Sequence, residues 1–159
     1  MNSVQDSLRR AGADDLAGLV ELWIEVTAHH AALDPLFTLR PNSRPVIERL
    51  IRSQLRDSDA AIFVVDSLDS LAGFCCVRVD RAPPILEETR RAEITDLGVR
   101  VALRRRGFGR ALAAAALDWT AERGVDRVEV RVASRNAEGQ AFWRELGFDD
   151  LMDVLQRRL

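Results

Sequence analysis

One segment of the chain, residues 96–117, constrains the fold more than any other. It begins as a strand that ends near Val99, passes through an arginine-rich turn and enters an alanine-rich helix near Gly107. No acidic residue lies between Leu97 and Leu117, but this stretch contains five arginines: Arg100, Arg104, Arg105, Arg106 and Arg110. A glycine-containing turn that leads into a helix presents backbone N–H groups where the helix dipole favours negative charge. The segment therefore predicts an anion-binding turn in a domain that combines strands and helices.

The length and composition fit a single globular domain spanning residues 1–159. The chain is 47% hydrophobic and 30% charged, which is ordinary for a protein with a packed core. The first ten residues lack the apolar stretch of a signal peptide, and no apolar run is long enough to span a membrane. The net charge of −2 argues against nucleic-acid binding by the surface as a whole.

The apolar patterns along the chain predict an α/β (α+β) domain, with a mixed sheet and helices on both of its faces. We expect strands at residues 3–10, 61–65, 71–79, 92–100, 128–132 and 148–159. We expect helices over 12–27, 42–55, 107–123 and 136–146, with an irregular stretch over 28–41. The second helix is expected to bury one apolar face, made of Val46, Ile47, Leu50, Ile51 and Leu55.

The two cysteines indicate a reducing compartment. Cys75 and Cys76 are adjacent in an apolar run that is predicted to be a strand. Neighbouring strand residues point to opposite faces of a sheet, so neither a disulfide nor a metal site is expected. A cytoplasmic location follows as the prediction.

The first helix carries two further side chains of interest near its end. His29 and His30 are adjacent there and form a candidate for substrate recognition, although such a pair more often lies at the surface. Trp23 in the same helix and Trp119 in a later one fall on apolar stripes, so both are expected to pack in the core.

Two common phosphate-binding motifs do not fit the arginine-rich turn. A P-loop needs Gly-Lys-Ser/Thr, and the chain contains no lysine. A dinucleotide-binding turn needs a third small residue where this chain has Leu112. Two readings remain: a different ligand with two phosphates in a row, or a solvated run of arginines that only caps the helix.

Two segments resemble the motifs of the GCN5-related N-acetyltransferases, the GNAT family. Their acetyl-CoA motif, Q/R-x-x-G-x-G/A after a strand, is matched by RRRGFG at residues 104–109. A second motif, roughly N-x-x-A-x-x-hydrophobic-Tyr-x-x-x-G-F, is similar to residues 136–148, where Gly139 replaces the alanine. The resemblance covers nearly the whole chain. It implies a twisted, mostly antiparallel GNAT-like sheet, acetyl-CoA as a cosubstrate and no metal.

The resemblance also implies where acetyl-CoA would bind. Leu97 and Val99 would offer backbone groups to the pantetheine arm, which would add like a strand to a splayed sheet edge. Asn136 and Trp143 would lie beside that arm. The pyrophosphate would be held by the turn, which comprises Arg104, Arg105, Arg106, Gly107, Phe108, Gly109 and Arg110.

Acetyl transfer to an amine needs a group that accepts a proton, and two carboxylates are candidates. Glu93 comes first, because residues 92–94 (AEI) resemble the segment that carries the general base in the GCN5-like branch of the family. Strict alternation along the strand places Glu93 on the face of Leu97 and Val99, and Asp96, the second candidate, on the other face. A structural salt bridge with Arg90 or Arg91 is the alternative role for Glu93.

The proton donor for the departing thiolate is where this sequence departs from the family. The family often has a tyrosine where this chain has Trp143, and the chain contains no tyrosine. An indole N–H donates a hydrogen bond but does not deliver a proton at neutral pH. Three readings stay open: protonation by water or Ser134, departure of the bare thiolate near the helix that starts at Asn136, and acyl-CoA binding without catalysis.

The sequence thus predicts an N-acetyltransferase that moves an acetyl group from acetyl-CoA to a primary amine of a small molecule or protein. One alternative is a catalytically silent acyl-CoA-binding or regulatory module, and a second is a protein-interaction domain with a merely basic turn. The expected partner is the amine acceptor. A homodimer is compatible with the prediction, whereas nucleic acid and membranes are not expected as partners.

Overall fold

The structure is a computed structural model that describes residues 7–157. It contains five strands: β1 (Leu8–Arg10), β2 (Ala60–Asp66), β3 (Leu71–Arg81), β4 (Arg90–Val99) and β5 (Val128–Val130). It contains four α-helices: α1 (Leu16–Leu33), α2 (Arg44–Arg56), α3 (Phe108–Ala121) and α4 (Ala137–Glu145). Short 3-10 turns lie at Ala13–Asp15, Pro35–Phe37 and Val101–Leu103. Among the described residues, no helix has both the length and the apolar character needed to cross a membrane.

The strands form one mixed sheet in the order β1-β2-β3-β4-β5. The first four strands pair antiparallel with their neighbours, and β5 joins parallel to β4. The parallel pair is connected through α3, which is the crossover that two neighbouring parallel strands require. The predicted mixed sheet is confirmed.

Helices cover both faces of the sheet, as the sequence predicts. One core cluster joins α3 and Trp143 of α4 to one face, and it includes Cys75, Val77 and Ile94. The other joins α1 and α2 to the opposite face, where it includes Cys76. The two cysteines are free and buried on opposite faces, in agreement with the expected alternation.

A β-bulge in β4 changes which side chains share a face. Cys76 lies opposite Asp96 and Val77 opposite Ile94, so Thr95 is an extra residue without a partner on β3. Ile94 and Leu97 therefore pack in the same cluster, whereas Asp96 contacts the α1 side of the sheet. The strict alternation assumed from the sequence is wrong here. Glu93 and Asp96 lie on one face, and Leu97 and Val99 lie on the other.

The end of α1 and the buried face of α2 differ from the prediction. The stretch 28–41 is not wholly irregular, because α1 continues to Leu33 and Pro35–Phe37 forms a 3-10 turn. The apolar face of α2 is narrower than expected, since Ile47 and Ile51 are buried but Val46 and Leu50 are 48% and 56% exposed. Positions 46 and 50 lie about 100° around the helix from 47 and 51, and only the latter stripe faces α1 and β2.

The terminal strands also differ from the prediction. The expected first strand is reduced to Leu8–Arg10, and residues 3–6 lie outside the described part of the chain. The expected closing strand at 148–159 does not form over residues 148–157, where Leu155 is 92% exposed. Its sequence includes Asp149, Asp150 and Asp153, a residue type that strands disfavour.

Gly98 shows how closely α1 packs on β4. A Cβ atom at Gly98 would lie 2.4 Å from Cγ2 of Val26 and 3.1 Å from Cε1 of Phe74. Such contacts leave no room for a side chain, so the α1 helix rests directly on the β4 backbone at this point.

We expect Gly98→Ala to lower the free energy of unfolding by about 1–3 kcal/mol, because it overpacks this contact. The double variant Gly98→Ala/Val26→Ala should lose less than the sum of the two single variants. Gly12→Ala is the control, since Gly12 has an extended backbone with nothing near its Cβ position, and it should change stability by less than about 0.5 kcal/mol. Urea denaturation measures all four. Additive losses would contradict the close contact.

Candidate active site

The edge of β4 beyond Ile94 is the starting point of the site. β5 pairs with β4 only over Ala92–Ile94, and the two strands then separate. The N–H of Arg100 donates to the carbonyl of Ala72 on β3 at 2.9 Å, so alternation turns the backbone groups of Leu97 and Val99 away from β3. The backbone groups of Leu97 and the N–H of Val99 are turned toward an extended ligand that adds along this edge, whereas the Val99 carbonyl already accepts from Arg104.

A cleft of about 640 Å³ lies at this edge. Its walls come from α1, β4, the turn before α3, the first turn of α3, the segment after β5, and α4. Eleven residues predicted for the site line it: Asp96, Leu97, Val99, Arg104, Arg105, Gly107, Phe108, Gly109, Arg110, Asn136 and Trp143. Glu93 and Arg106 are not among its lining residues.

The turn before α3 adopts the backbone of an anion-binding nest. Arg105 and Gly107 both have left-handed backbone angles, with φ values of 61° and 85°. The first bond of the helix runs from Ala111 N–H to Gly107 O at 3.0 Å, so the N–H groups of Phe108, Gly109 and Arg110 precede the helical ladder. Such groups at a helix N-terminus bind anions.

The arginines of the turn have different roles. Arg100 pairs with Glu25 and donates from Nε to the carbonyl of Leu71, so it ties β4 to α1 and β3. Arg110 lies 3.5 Å from Glu145 on α4, in an exposed pair. Arg105 and Arg106 are exposed. Only some of the arginines in the acid-free segment are therefore available to bind an anion.

Arg104 points inward and joins two sides of the cleft. Its Nε donates to the Val99 carbonyl at 3.2 Å, and its Nη1 lies 3.2 Å from Nε2 of His29. A guanidinium only donates, so Nε2 of His29 is the acceptor and its proton resides on Nδ1. The backbone N–H of Arg104 is used within the preceding turn, where it donates to Val101.

Asp96 lies in the cleft on the face that α1 covers. The indole Nε1–H of Trp23 donates to Oδ1 of Asp96 at 3.1 Å. Burial raises the pKa of the Asp96 carboxyl above its ordinary value, and the side chain of Thr95, the hydrogen bond from Trp23 and the nearby His30 oppose that rise in part. The result is a carboxyl group whose proton affinity is increased, inside a cleft.

Glu93 is held differently. Its carboxylate lies 2.8 Å from Arg78 and 3.5 Å from Arg131, and its side chain is only 12% exposed. The salt bridge foreseen as its structural alternative therefore forms, although with these two arginines rather than with its neighbours in sequence. The bulge at Thr95 separates it from the open edge.

A comparison with protein families decides the family. The model of the acetyltransferase (GNAT) family matches residues 27–148. The chain belongs to the GNAT family. This confirms the predicted membership, and the mixed sheet agrees with it.

The chain is similar to curated and structurally known proteins. The mycothiol acetyltransferase of Clavibacter michiganensis is 36% identical over 125 residues, which are 73% of this chain and 38% of that protein. A mutant of the BH1408 protein from Bacillus halodurans has a TM-score of 0.84 at 21% identity and covers 96% of this chain and 98% of its own. A predicted acetyltransferase from Clostridium acetobutylicum, solved with acetyl-CoA, has a TM-score of 0.76 at 14% identity, covering 95% and 94%. This GNAT chain thus spans little more than a third of its curated relative.

The α1 side of the GNAT cleft includes His29 and His30, the candidate pair for substrate recognition, and two residues that the sequence analysis did not place in the site. Trp23 packs against the α1-side core cluster as expected, and it also lines the cleft and bonds Asp96. His30 and Phe37 also line it, with ring centroids 5.8 Å apart. Burial lowers the pKa of His30. The available signal was the helical spacing of Trp23, Thr27 and His30, which puts two polar residues on an apolar stripe.

The second GNAT motif is positioned by its cap and by aromatic packing. Oδ1 of Asn136 accepts from Gly139 N–H at 2.9 Å, which confirms the predicted N-cap of α4. Trp143 is 7% exposed and packs edge-to-face against Phe142 and Phe148, with both ring centroids at 5.0 Å. No group of three or more His, Cys, Asp or Glu side chains within residues 7–157 is arranged to hold a metal ion.

The raised pKa of Asp96 predicts a specific pH dependence of stability. The native state binds this proton more tightly than the unfolded chain, so stability falls as pH rises from the ordinary value of 3.8 through the native pKa. The variant Asp96→Asn has no carboxyl at this position, so it does not lose stability in this way as pH rises. Its stability relative to the parent should therefore rise with pH over that window, by at most about 1.4 kcal/mol per pH unit.

Urea denaturation at several pH values between about 4 and about 7 measures this difference. The variant Asp69→Asn, in an exposed turn, controls for the removal of one negative charge. A stability difference that does not change with pH, or that changes equally in the control, would contradict the buried position of the Asp96 carboxyl.

Proposed function

We propose that the chain transfers an acetyl group from acetyl-CoA to a primary amine of a small molecule or protein. One observation carries the proposal: the open edge of β4 continues through the left-handed turn into the N-terminus of α3, within a single cleft. An elongated ligand with amides at one end and a pyrophosphate at the other matches this order of groups. Membership of the GNAT family supports the same reading.

The binding half of the cleft fits the proposed cosubstrate through backbone groups. The backbone groups of Leu97 and the N–H of Val99 suit the amides of the pantetheine arm, which would extend the sheet at this edge. The N–H groups of residues 108–110 suit the pyrophosphate. Arg105 lies on the rim with an exposed side chain that a phosphate could reach. Asn136 and Trp143 form the opposite wall, on α4.

Acetyl transfer requires a neutral amine, and we assign the proton-accepting role to Asp96. When bound, acetyl-CoA supplies an activated acetyl thioester; the amine nitrogen bonds to its carbonyl carbon as the C–S bond breaks, and the amine loses a proton. The Asp96 carboxylate lines the cleft and takes this proton, directly or through water. Its raised pKa improves the match to an amine proton.

The choice of Asp96 over Glu93 rests on position. Both lie on the α1 face of β4, but Glu93 is paired with Arg78 and Arg131 and does not line the cleft. The two guanidiniums engage the Glu93 carboxylate in ion pairs, whereas the Asp96 carboxyl lines the cleft. The order of candidates from the sequence is therefore reversed in this proposal.

The silent-module alternative is favoured by one observation, the environment of Trp143. It replaces the tyrosine of the family motif and is enclosed by two phenylalanine rings, so it offers no proton to a thiolate. In the enzyme reading, the thiolate departs toward the N-terminus of α4 at Asn136, whose dipole favours negative charge. General acid help contributes about 10²–10⁴-fold, so its loss slows the reaction without abolishing it.

The acceptor, compartment and assembly complete the proposal. The mycothiol acetyltransferase relative is a longer protein, and the match covers 38% of it. We therefore propose only an amine as the acceptor class. A cytoplasmic location agrees with two buried, free cysteines. A homodimer stays a prediction.

We expect Gly109→Val to weaken acetyl-CoA binding at least tenfold while the chain stays folded, because the added methyl groups enter the space next to the backbone N–H groups. A Cβ at Gly109 itself meets only ordinary contacts, 3.5 Å from Phe142 and 3.8 Å from Leu97. Calorimetric titration gives the affinity. In the parent, acetyl-CoA at about 100 times its Kd should raise stability by about 2.7 kcal/mol.

Gly12→Val is the matched control, since it adds the same side chain at an extended, open position. Unchanged acetyl-CoA affinity in folded Gly109→Val would place the binding site elsewhere and reject the proposal.

We expect Asp96→Asn to lower kcat/KM for amine acetylation by about 10²-fold or more, with little change in acetyl-CoA affinity. Release of free CoA thiol over a panel of amines measures turnover. Asp69→Asn, in the exposed turn, is the control and should retain the parent rate.

A large loss in Glu93→Gln with normal turnover in Asp96→Asn would return the proton-accepting role to Glu93. Tight acetyl-CoA binding without thiol release for any amine would favour the silent module instead.

A further inference from the structure

Trp23 makes a contact that core packing does not require. Its indole Nε1–H reaches across from α1 to Oδ1 of Asp96 on β4, at 3.1 Å and over 73 residues of sequence. Both residues line the same cleft. The backbone carbonyl of Trp23 is bonded by the Thr27 hydroxyl at 2.8 Å, inside a regular helical turn. The indole is thus presented to the carboxylate from a rigid element.

We propose that Trp23 is a positioning residue for catalysis: its indole N–H holds the Asp96 carboxylate in one orientation and favours its ionised form. The inference rests on the proposed function, in which Asp96 accepts the proton of the amine. Indole Nε1 is a donor without acceptor capacity, so it bonds a carboxylate oxygen and never competes for the proton. One oxygen of Asp96 is fixed by this bond, which leaves the other for the amine or a bridging water.

The charged and titratable groups around Asp96 come from four elements. His30 faces it from α1, Glu93 precedes it on β4, Cys75 and Cys76 lie on the paired strand β3, and Arg131 lines the cleft after β5.

None of these neighbours replaces the indole at neutral pH. Burial lowers the pKa of His30, so its ring is neutral there, and burial raises the pKa of both thiols, which stay protonated. Glu93 disfavours a second negative charge nearby, and it engages Arg131 in an ion pair. Two neutral side chains, those of Thr95 and Trp23, therefore offset part of the cost of the buried carboxylate, and Trp23 does so from across the cleft.

The test is the pH profile of kcat/KM in Trp23→Phe. The parent should show an acid limb that reports ionisation of Asp96. Loss of the indole N–H removes a bond to the charged form, so the pKa of Asp96 rises and the limb should move to higher pH by about one unit, a tenfold change in proton affinity. Trp119→Phe is the matched control, because Trp119 of α3 packs on Arg123, which follows that helix, and does not line the cleft.

A second measurement leaves Trp23 in place. In ¹⁵N-labelled parent protein, the indole signal of Trp23 should shift with pH at the midpoint of the acid limb, and this shift should vanish in Asp96→Asn. Trp119→Phe and Trp143→Phe assign the other two indole signals.

The inference is overturned if folded Trp23→Phe loses rate with an unmoved acid limb. If that variant does not fold, an indole signal of Trp23 that does not titrate overturns it. Either result leaves the proposed function standing, whereas Asp96→Asn with the parent rate and the parent acid limb rejects the proposed role of Asp96 itself.

Discussion

The separation of β4 and β5 after Ile94 is the constraint on which the site depends. Backbone groups at a sheet edge must find partners, and the described β5 stops at Val130 and does not pair with Leu97 or Val99. The bulge at Thr95 lies at the same place and shifts the side chains of β4 by one position. Together they set an open edge beside a carboxylate. The proposed proton transfer takes place beside this edge.

The two halves of the cleft are built on different principles. The half near α3 relies on backbone N–H groups and the left-handed angles of Arg105 and Gly107, so side-chain identity matters little there beyond glycine and charge. The half under α1 relies on side chains, with Trp23, His30 and Asp96 in contact or close to it. The first half of the cleft therefore suits a ligand that related proteins share. The second half suits a ligand that is specific to this chain.

The sequence predicts the parts of the molecule that local chemistry determines. Gly107 and Gly109 with their arginines, the Asn136 cap and the alternation of Cys75 and Cys76 all follow from short-range rules, and the structure places them as expected. The sheet faces on which Glu93 and Asp96 lie do not follow from such rules. One extra residue in β4 changes which face each side chain occupies, and only the pairing with β3 reveals that residue. Trp23 likewise needs its partner 73 residues away. The closing strand fails because periodicity says nothing about whether a neighbouring strand is present.

The contact between Gly98 and Val26 has a consequence for how such a cleft diversifies. Position 98 faces the helix with no space for a β-carbon, so any other amino acid there destabilises the fold unless α1 changes with it. The sequence of β4 is therefore constrained at this position during evolution. New acceptor preferences must arise from the helix and the 3-10 turn that follows it, where Thr27, His30 and Phe37 can vary without disturbing the sheet.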